Sequence, residues 1–231
     1  MQYIFILLLF LLPLPSDAQN FHLVNISSGT GFFVNRGFLI TNAHVVKGCK
    51  NVTLKGAVSP HDGRVIAIDA ERDLAVIQTD AVPPEIAPLR YNIDDLKPGD
   101  SVLVVGYPGE AGARGEYRVA KATIEDIRIE DNSRKWVYIT DVLEHGNSGG
   151  PVFDMSGNVI GVVVAKVEIQ KNDNTPPIQV GAMISLNTLK EFLLNNGIFS
   201  EGGGYGVEYA SSYIEERATH YIVNVQCQLN E

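Results

Sequence analysis

His145-Gly146-Asn147-Ser148-Gly149-Gly150-Pro151 places three glycines around a single serine. With no Cβ at those positions the backbone can turn sharply. The turn brings two or three amide N–H groups to one spot beside the serine hydroxyl. Such a spot stabilises an oxygen that gains negative charge, with each donor worth about 3–4 kcal/mol. A glycine-rich loop with no chemistry reads the same way in isolation, so the stretch needs partners. Two others supply them. In Leu39-Ile40-Thr41-Asn42-Ala43-His44-Val45-Val46 a histidine follows an apolar strand end. A sheet would hold it rigidly there, and its near-neutral pKa suits it to take up and return a proton. In Glu71-Arg72-Asp73-Leu74-Ala75-Val76-Ile77 a carboxylate stands at the mouth of an apolar strand. From there it can hydrogen-bond an imidazole and fix its tautomer.

Chain order narrows the reading. Gly146-x-Ser148-x-Gly150 also fits the strand–turn–helix elbow of α/β-hydrolases, but that elbow needs a helix straight after the serine and the order Ser, Asp, His. Here Pro151 opens a strand and the order is His, Asp, Ser. Short β-like segments spaced by turns continue over most of the chain, as in sandwiches and barrels. Before residue 90 these are Ser28–Val34, Phe38–Asn42, Asn51–Leu54, Val65–Ile68 and Leu74–Thr79, the first two joined by the turn Asn35-Arg36-Gly37. After it they are Ser101–Gly106, Tyr117–Ile129, Trp136–Val142, Pro151–Phe153, Val159–Val167 and Ile178–Ile184. One helix is legible, from the stripe Leu186, Leu189, Phe192 and Leu193, with Ser185 or Asn187 as cap and Gly197 as stop. Beyond Ser200 a glycine-rich linker leads to a tail in which Tyr221–Gln226 alternates like a strand.

These segments together resemble trypsin-like serine proteases of the chymotrypsin fold, most of all the HtrA-like branch without a PDZ domain. The resemblance is carried by Thr41-Asn42-Ala43-His44-Val45-Val46, Asp73-Leu74-Ala75-Val76 and Gly146-Asn147-Ser148-Gly149-Gly150-Pro151. It is extended by Ser28-Gly29-Thr30-Gly31-Phe32, Gly99-Asp100-Ser101-Val102 and Gly157-Asn158-Val159-Ile160-Gly161. It implies an all-β fold of two six-stranded antiparallel barrels, with a C-terminal helix and an extra tail. The divisions expected are a signal peptide over 1–18, an N-terminal barrel over 19–94, a C-terminal barrel with its helix over 95–200, and a linker and tail over 201–231. The resemblance also implies Ser148 as nucleophile, His44 as base then acid, Asp73 as its orienter, and an oxyanion hole at Gly146, Asn147 and Ser148, with the amides of Gly146 and Ser148 as its donors. Val164, Ala165 and Lys166 would pair with substrate backbone as an added strand, and Val142, Gly181 and Ala182 would border the pocket for the residue preceding the cleaved bond. That residue is expected to be apolar and small or medium in size. Where related zymogens have an Asp that pairs with a new N-terminal ammonium, this chain has Asn147, so activity should not require such a terminus.

Composition is consistent with this reading and excludes other classes. The 231 residues are 45% hydrophobic, too apolar for disorder. The net charge of −9 comes with no basic run, which argues against a nucleic-acid partner. Tyr3 to Leu12 is an apolar run too short to span a bilayer. Small residues at Ser16 and Ala18 fit a signal-peptidase site, although a basic leader is missing. Export to the periplasm or medium is expected, with no membrane attachment after signal removal and a monomeric state. In an oxidising compartment Cys49 and Cys227 could pair and pin the tail to the N-terminal half; two free buried thiols are the alternative. No zinc or calcium spacing emerges, and neither metal nor cofactor is expected. The leading expectation is an endopeptidase acting on polypeptides, and the runner-up is a binding or chaperone-like module on the same scaffold. An esterase is the third possibility.

Overall fold

The computed structural model describes residues 26–130, 134–170, 176–204 and 206–229. The leader expected over residues 1–18 lies outside them. The first half contributes β1 (Ile26–Asn35), β2 (Phe38–Thr41), the single turn α1 (Ala43–Val46), β3 (Cys49–Gly56), β4 (His61–Asp69) and β5 (Leu74–Gln78). The second contributes β6 (Ser101–Gly106), α2 (Gly109–Ala113), β7 (Arg118–Glu130), β8 (Arg134–Thr140), β9 (Pro151–Phe153), β10 (Val159–Ile169) and β11 (Ile178–Ser185). The chain ends with α3 (Leu186–Asn195), α4 (Ser211–Ala218) and β12 (Ile222–Leu229).

The strands form two closed antiparallel barrels of six, as expected for the chymotrypsin fold. Around the second barrel the order is β10-β11-β8-β7-β6-β9, all from the C-terminal half. Around the first it is β1-β12-β3-β4-β5-β2. Among the described residues the N-terminal half supplies five strands, and those five by themselves would leave β1 and β3 as open edges with unpaired N–H and C=O groups. The tail strand fills that gap. β12 runs antiparallel to β1 from Phe32↔Ile222 to Ile26↔Gln228, and antiparallel to β3 from Val223↔Gly56 to Leu229↔Cys49. The tail, read from sequence as a strand over Tyr221–Gln226, is thus a stave in the barrel wall over Ile222–Leu229.

Burial follows from closure. Phe32, Phe33, Val34, Leu39, Ile40, Leu54 and the run Leu74–Ile77 are fully buried in the first barrel, and Ile222, Val223 and Val225 of the tail strand join them. Each large apolar side chain contributes roughly 1.5–3 kcal/mol on burial. A disulfide between Cys49 and Cys227, with Cα atoms 5.3 Å apart, staples β12 to β3.

Local signals account for the rest. The hairpin β1–β2 turns at Asn35-Arg36-Gly37, where the Gly37 N–H donates to Asn35 Oδ1 at 3.2 Å. Ser185 caps α3 by accepting from the Thr188 N–H, and Leu186, Leu189, Phe192 and Leu193 are its buried face. The tail reaches the first barrel by crossing the connector between barrels: the Gly203 N–H donates to Leu89 O and the Leu89 N–H to Glu201 O. Helix α4 is then clamped to the connector by Glu85, which accepts from Arg217 at 2.9 and 2.5 Å and pairs with His220 Nδ1 at 3.1 Å. Among the described residues no helix is long and apolar enough to cross a membrane.

Candidate active site

His44 lies on the turn α1, just past the buried end of β2, and Asp73 lies just before β5, the neighbour of β2 in the barrel. That adjacency brings residues 29 apart in sequence together twice. His44 Nδ1 and Asp73 Oδ2 are 2.8 Å apart, and the His44 main-chain N–H donates to Asp73 Oδ1 at 3.0 Å. The backbone of Asp73 is held as well, its carbonyl accepting from the Ala43 N–H and from Asn42 Nδ2. Asp73 has φ +54, the left-handed region in which Asp and Asn are the best tolerated of the non-glycine residues. With both carboxylate oxygens engaged by His44, the imidazole has its Nδ1 side fixed and its Nε2 edge free to work.

Ser148 reaches the same place from the other barrel. A cleft of about 910 Å³ is lined by His44, Ser148, Gly109, Leu143, Glu144, His145 and residues 163–166 of β10. The serine loop is tied to the first barrel through Thr30, whose N–H donates to Ser148 O at 2.8 Å and whose hydroxyl donates to Gly146 O at 2.7 Å. That hydroxyl also accepts from the Tyr107 N–H at 2.9 Å. Gly149, at φ +82, presses so closely on Thr30 O and Thr41 Oγ1 that a Cβ would collide with both.

Three successive carbonyls of this loop are each fixed. His145 O accepts from the Gly109 N–H at 2.6 Å, Gly146 O from Thr30, and Asn147 O from the Gly150 N–H at 2.9 Å. In a trans peptide the N–H points opposite its C=O, so the orientations of the Gly146, Asn147 and Ser148 amides follow. The Asn147 N–H is taken up by Glu144 O at 3.1 Å. Those of Gly146 and Ser148 have no acceptor among the described residues, which leaves two donors flanking the serine. Gly146 holds its peptides in this arrangement at φ +96. The Asn147 side chain is buried, with its Oδ1 packed against the backbone of Gly106.

The serine hydroxyl itself donates to Val164 O at 2.9 Å, and no hydrogen bond joins it to His44 among the described residues. Val164 is the bulge in β10: Val163 pairs with Met183 and Ala165 with Ala182, with Val164 skipped. The β10–β9 ladder ends at Val162, so among the described residues 164–166 keep a strand edge unpaired on that side.

The residues expected to contact substrate are not all gathered here. Val164, Ala165 and Lys166 line the cleft; Val142, Gly181 and Ala182 do not. Gly181 faces Leu143 and Ile139, and Ala182 belongs to a small apolar cluster with Tyr138, Ile169 and Val180. Leu143, Gly109 and Thr30 carry parts of the site that sequence reasoning left without a role. For Thr30 a signal exists, namely a lone polar residue between two glycines inside an apolar strand. Lys166 is paired with Asp141 at 2.9 Å. Among the described residues no cluster of His, Cys, Asp and Glu could hold a metal ion.

Two barrels with a histidine–carboxylate pair on one and a glycine-flanked serine on the other define a class, that of the trypsin-like peptidases. The chain belongs to it: the trypsin-like peptidase domain profile matches residues 29–162. The chain is 36% identical over 145 residues to the serine protease Rv3671c of Mycobacterium tuberculosis, covering 58% of this chain and 35% of that protein. It is 30% identical over 209 residues to the uncharacterized protein y4bJ of Sinorhizobium fredii, covering 87% of this chain and 32% of that protein. The crystal structure of the Rv3671c protease in its active form superposes with a TM-score of 0.61 at 27% identity, over 76% of each chain. The chain spans about a third of the length of the curated relatives it matches.

Proposed function

We propose that this chain is an exported serine endopeptidase with Ser148 as nucleophile, His44 as general base then acid, and Asp73 as the residue that orients it. The observation that carries the reading is the His44–Asp73 pair opening onto the same cleft as Ser148. Polypeptide lies extended along the free edge of residues 164–166, with its carbonyl beside Ser148 and its oxygen toward the Gly146 and Ser148 amides. Ser148 Oγ bonds to the carbonyl carbon while its proton passes to His44 Nε2, and the tetrahedral oxyanion is held by the two amides. His44 then protonates the leaving amine as the C–N bond breaks. Water repeats the sequence on the acyl-enzyme, and Asp73 steadies the imidazolium throughout. Leu143 and Val163 make the cleft wall apolar, which suits a small or medium apolar residue before the scissile bond. The burial of the Asn147 side chain agrees with activity that needs no new N-terminus. Export rests on the leader over residues 1–18.

A fluorophosphonate probe tests the reading. It should label the wild type at Ser148 and leave Ser148→Ala unlabelled, and loss of Ser148 or His44 should lower kcat by roughly a million-fold if they act as a unit. A second reading, a binding module on the protease scaffold, draws on the hydrogen bond from Ser148 to Val164 O in place of one to His44. A folded wild type that binds peptides yet neither cleaves them nor takes the probe would decide for that reading.

A further inference from the structure

The tail strand does more than close a barrel. In the β1–β12 ladder Thr30 stands directly opposite Asn224, so the two side chains share one face of the sheet. Both are buried, at 0% and 1% exposure, and both leave the barrel for the loops of the other half. Thr30 donates to Gly146 O at 2.7 Å. Asn224 Nδ2 donates to Gly112 O in α2 at 2.7 Å. Gly112 in turn is bonded through its N–H to Pro108 O at 2.8 Å, and the adjoining Gly109 N–H holds His145 O at 2.6 Å. The two carbonyls that set the Gly146 N–H and its neighbour are therefore held by two arms. One comes straight from β1, and the other comes from β12 through α2.

Asn224 is a costly choice for stability alone. It sits between buried Val223 and Val225, and among the described residues its Oδ1 has no hydrogen-bond partner. A buried polar atom left unpaired is destabilising, and an apolar residue would close the barrel without that cost. The other half of the same carboxamide makes the single bond to the α2 carbonyl. We propose that Asn224 is a positioning residue for the oxyanion site, and that the C-terminal strand holds α2 so that Gly109 keeps the His145–Gly146 peptide in its reactive orientation. The proposal rests on the protease reading above and deepens it: the geometry at Ser148 depends on a strand folded in from the end of the chain.

The test is Asn224→Leu, which removes the donor at similar volume. It is measured with a peptide substrate, a peptide aldehyde, and the matching peptide alcohol. The aldehyde adds to Ser148 and places an oxyanion between the two amides, whereas the alcohol binds without one. The expected result is a kcat lowered about tenfold or more with KM within about twofold. The aldehyde should weaken by the factor lost in kcat/KM, while the alcohol and the melting temperature stay close to wild type. Should Asn224→Leu fold poorly, Asn224→Ser, smaller and too short to reach Gly112 O, carries the same expectation. Unchanged kcat and aldehyde affinity in a folded variant overturn the proposal. So does an equal loss for aldehyde and alcohol, or a failure of both variants to fold, since either assigns Asn224 to the barrel rather than to the oxyanion. A wild type with no hydrolysis and no probe labelling overturns the protease reading instead.

Discussion

Asp73→Asn tests the orienting role proposed for this carboxylate. The φ of +54 at Asp73 would strain most replacements, but Asn tolerates that region, so the backbone need not move. Both carboxylate oxygens now accept from His44, one from the main-chain N–H at 3.0 Å and one facing ring Nδ1 at 2.8 Å. An amide has one oxygen and one NH2, so one of these positions must become a donor. Turning the NH2 to the main-chain N–H sets two donors face to face and forfeits that bond, worth about 1 kcal/mol. The main chain has no alternative, whereas the ring does: it can lose its Nδ1 proton and become the acceptor. The NH2 therefore settles against Nδ1, the remaining proton moves to Nε2, and Nε2 can no longer accept from Ser148. The tautomer is wrong while the geometry is intact, a change that costs about 10⁴ in kcat in the trypsin case, equivalent to about 5.4 kcal/mol of activation free energy at about 1.36 kcal/mol per decade. Steady-state kinetics on a peptide substrate, with thermal unfolding alongside, would measure both sides. The expectation is a kcat lowered by about 10⁴ with stability changed by no more than about 1 kcal/mol. A variant within tenfold of wild-type kcat would refute the assignment of Asp73, and so would a loss that follows unfolding.

Two further outcomes concern the tail. Burial pushes the Glu85 carboxyl up, but hydrogen bonds and charge from Arg217 and His220 outweigh it and hold it below the ordinary glutamate value. The clamp on α4 should then be at full strength above the unfolded value near about 4.3 and weaken as pH falls through the lower folded value. Protection of the α4 amides, taken relative to their intrinsic exchange rate at each pH, should fall in acid in the wild type. In Glu85→Gln it should be low at every pH, and an identical acid response in that variant would count against the clamp. Replacing both Cys49 and Cys227 by Ser removes a cross-link spanning 178 positions, for which about 2–5 kcal/mol of stability should be lost in urea unfolding. A loss under about 0.5 kcal/mol would mean that β12 is held by its ladders alone.

Much of the candidate site was legible because its motifs are local. His44, Asp73 and Ser148 each sit where a short motif meets the end of a strand, and their order along the chain excluded the hydrolase elbow. The α3 stripe and the Asn35-Arg36-Gly37 turn were legible for a similar reason, being set by residues a few positions apart. Helix α2 was not, since Gly109-Glu110-Ala111-Gly112-Ala113 carries two glycines and no apolar period; neither was α4, whose buried residues are Ile214 and Ala218.

By itself the sequence determined a β-rich chain with a serine, a histidine and a carboxylate in the order of one protease class, because periodicity, turn residues and catalytic motifs are written over a few residues each. Only the tertiary structure decided that the tail strand is the sixth stave of the first barrel, that Thr30 and Asn224 face each other across it, and that Ser148 rests on the bulged carbonyl of Val164. Alternation along Tyr221–Gln226 says that the segment is a strand but carries no record of its neighbours. Pairing is settled by which open edges remain once the rest of the barrel has closed.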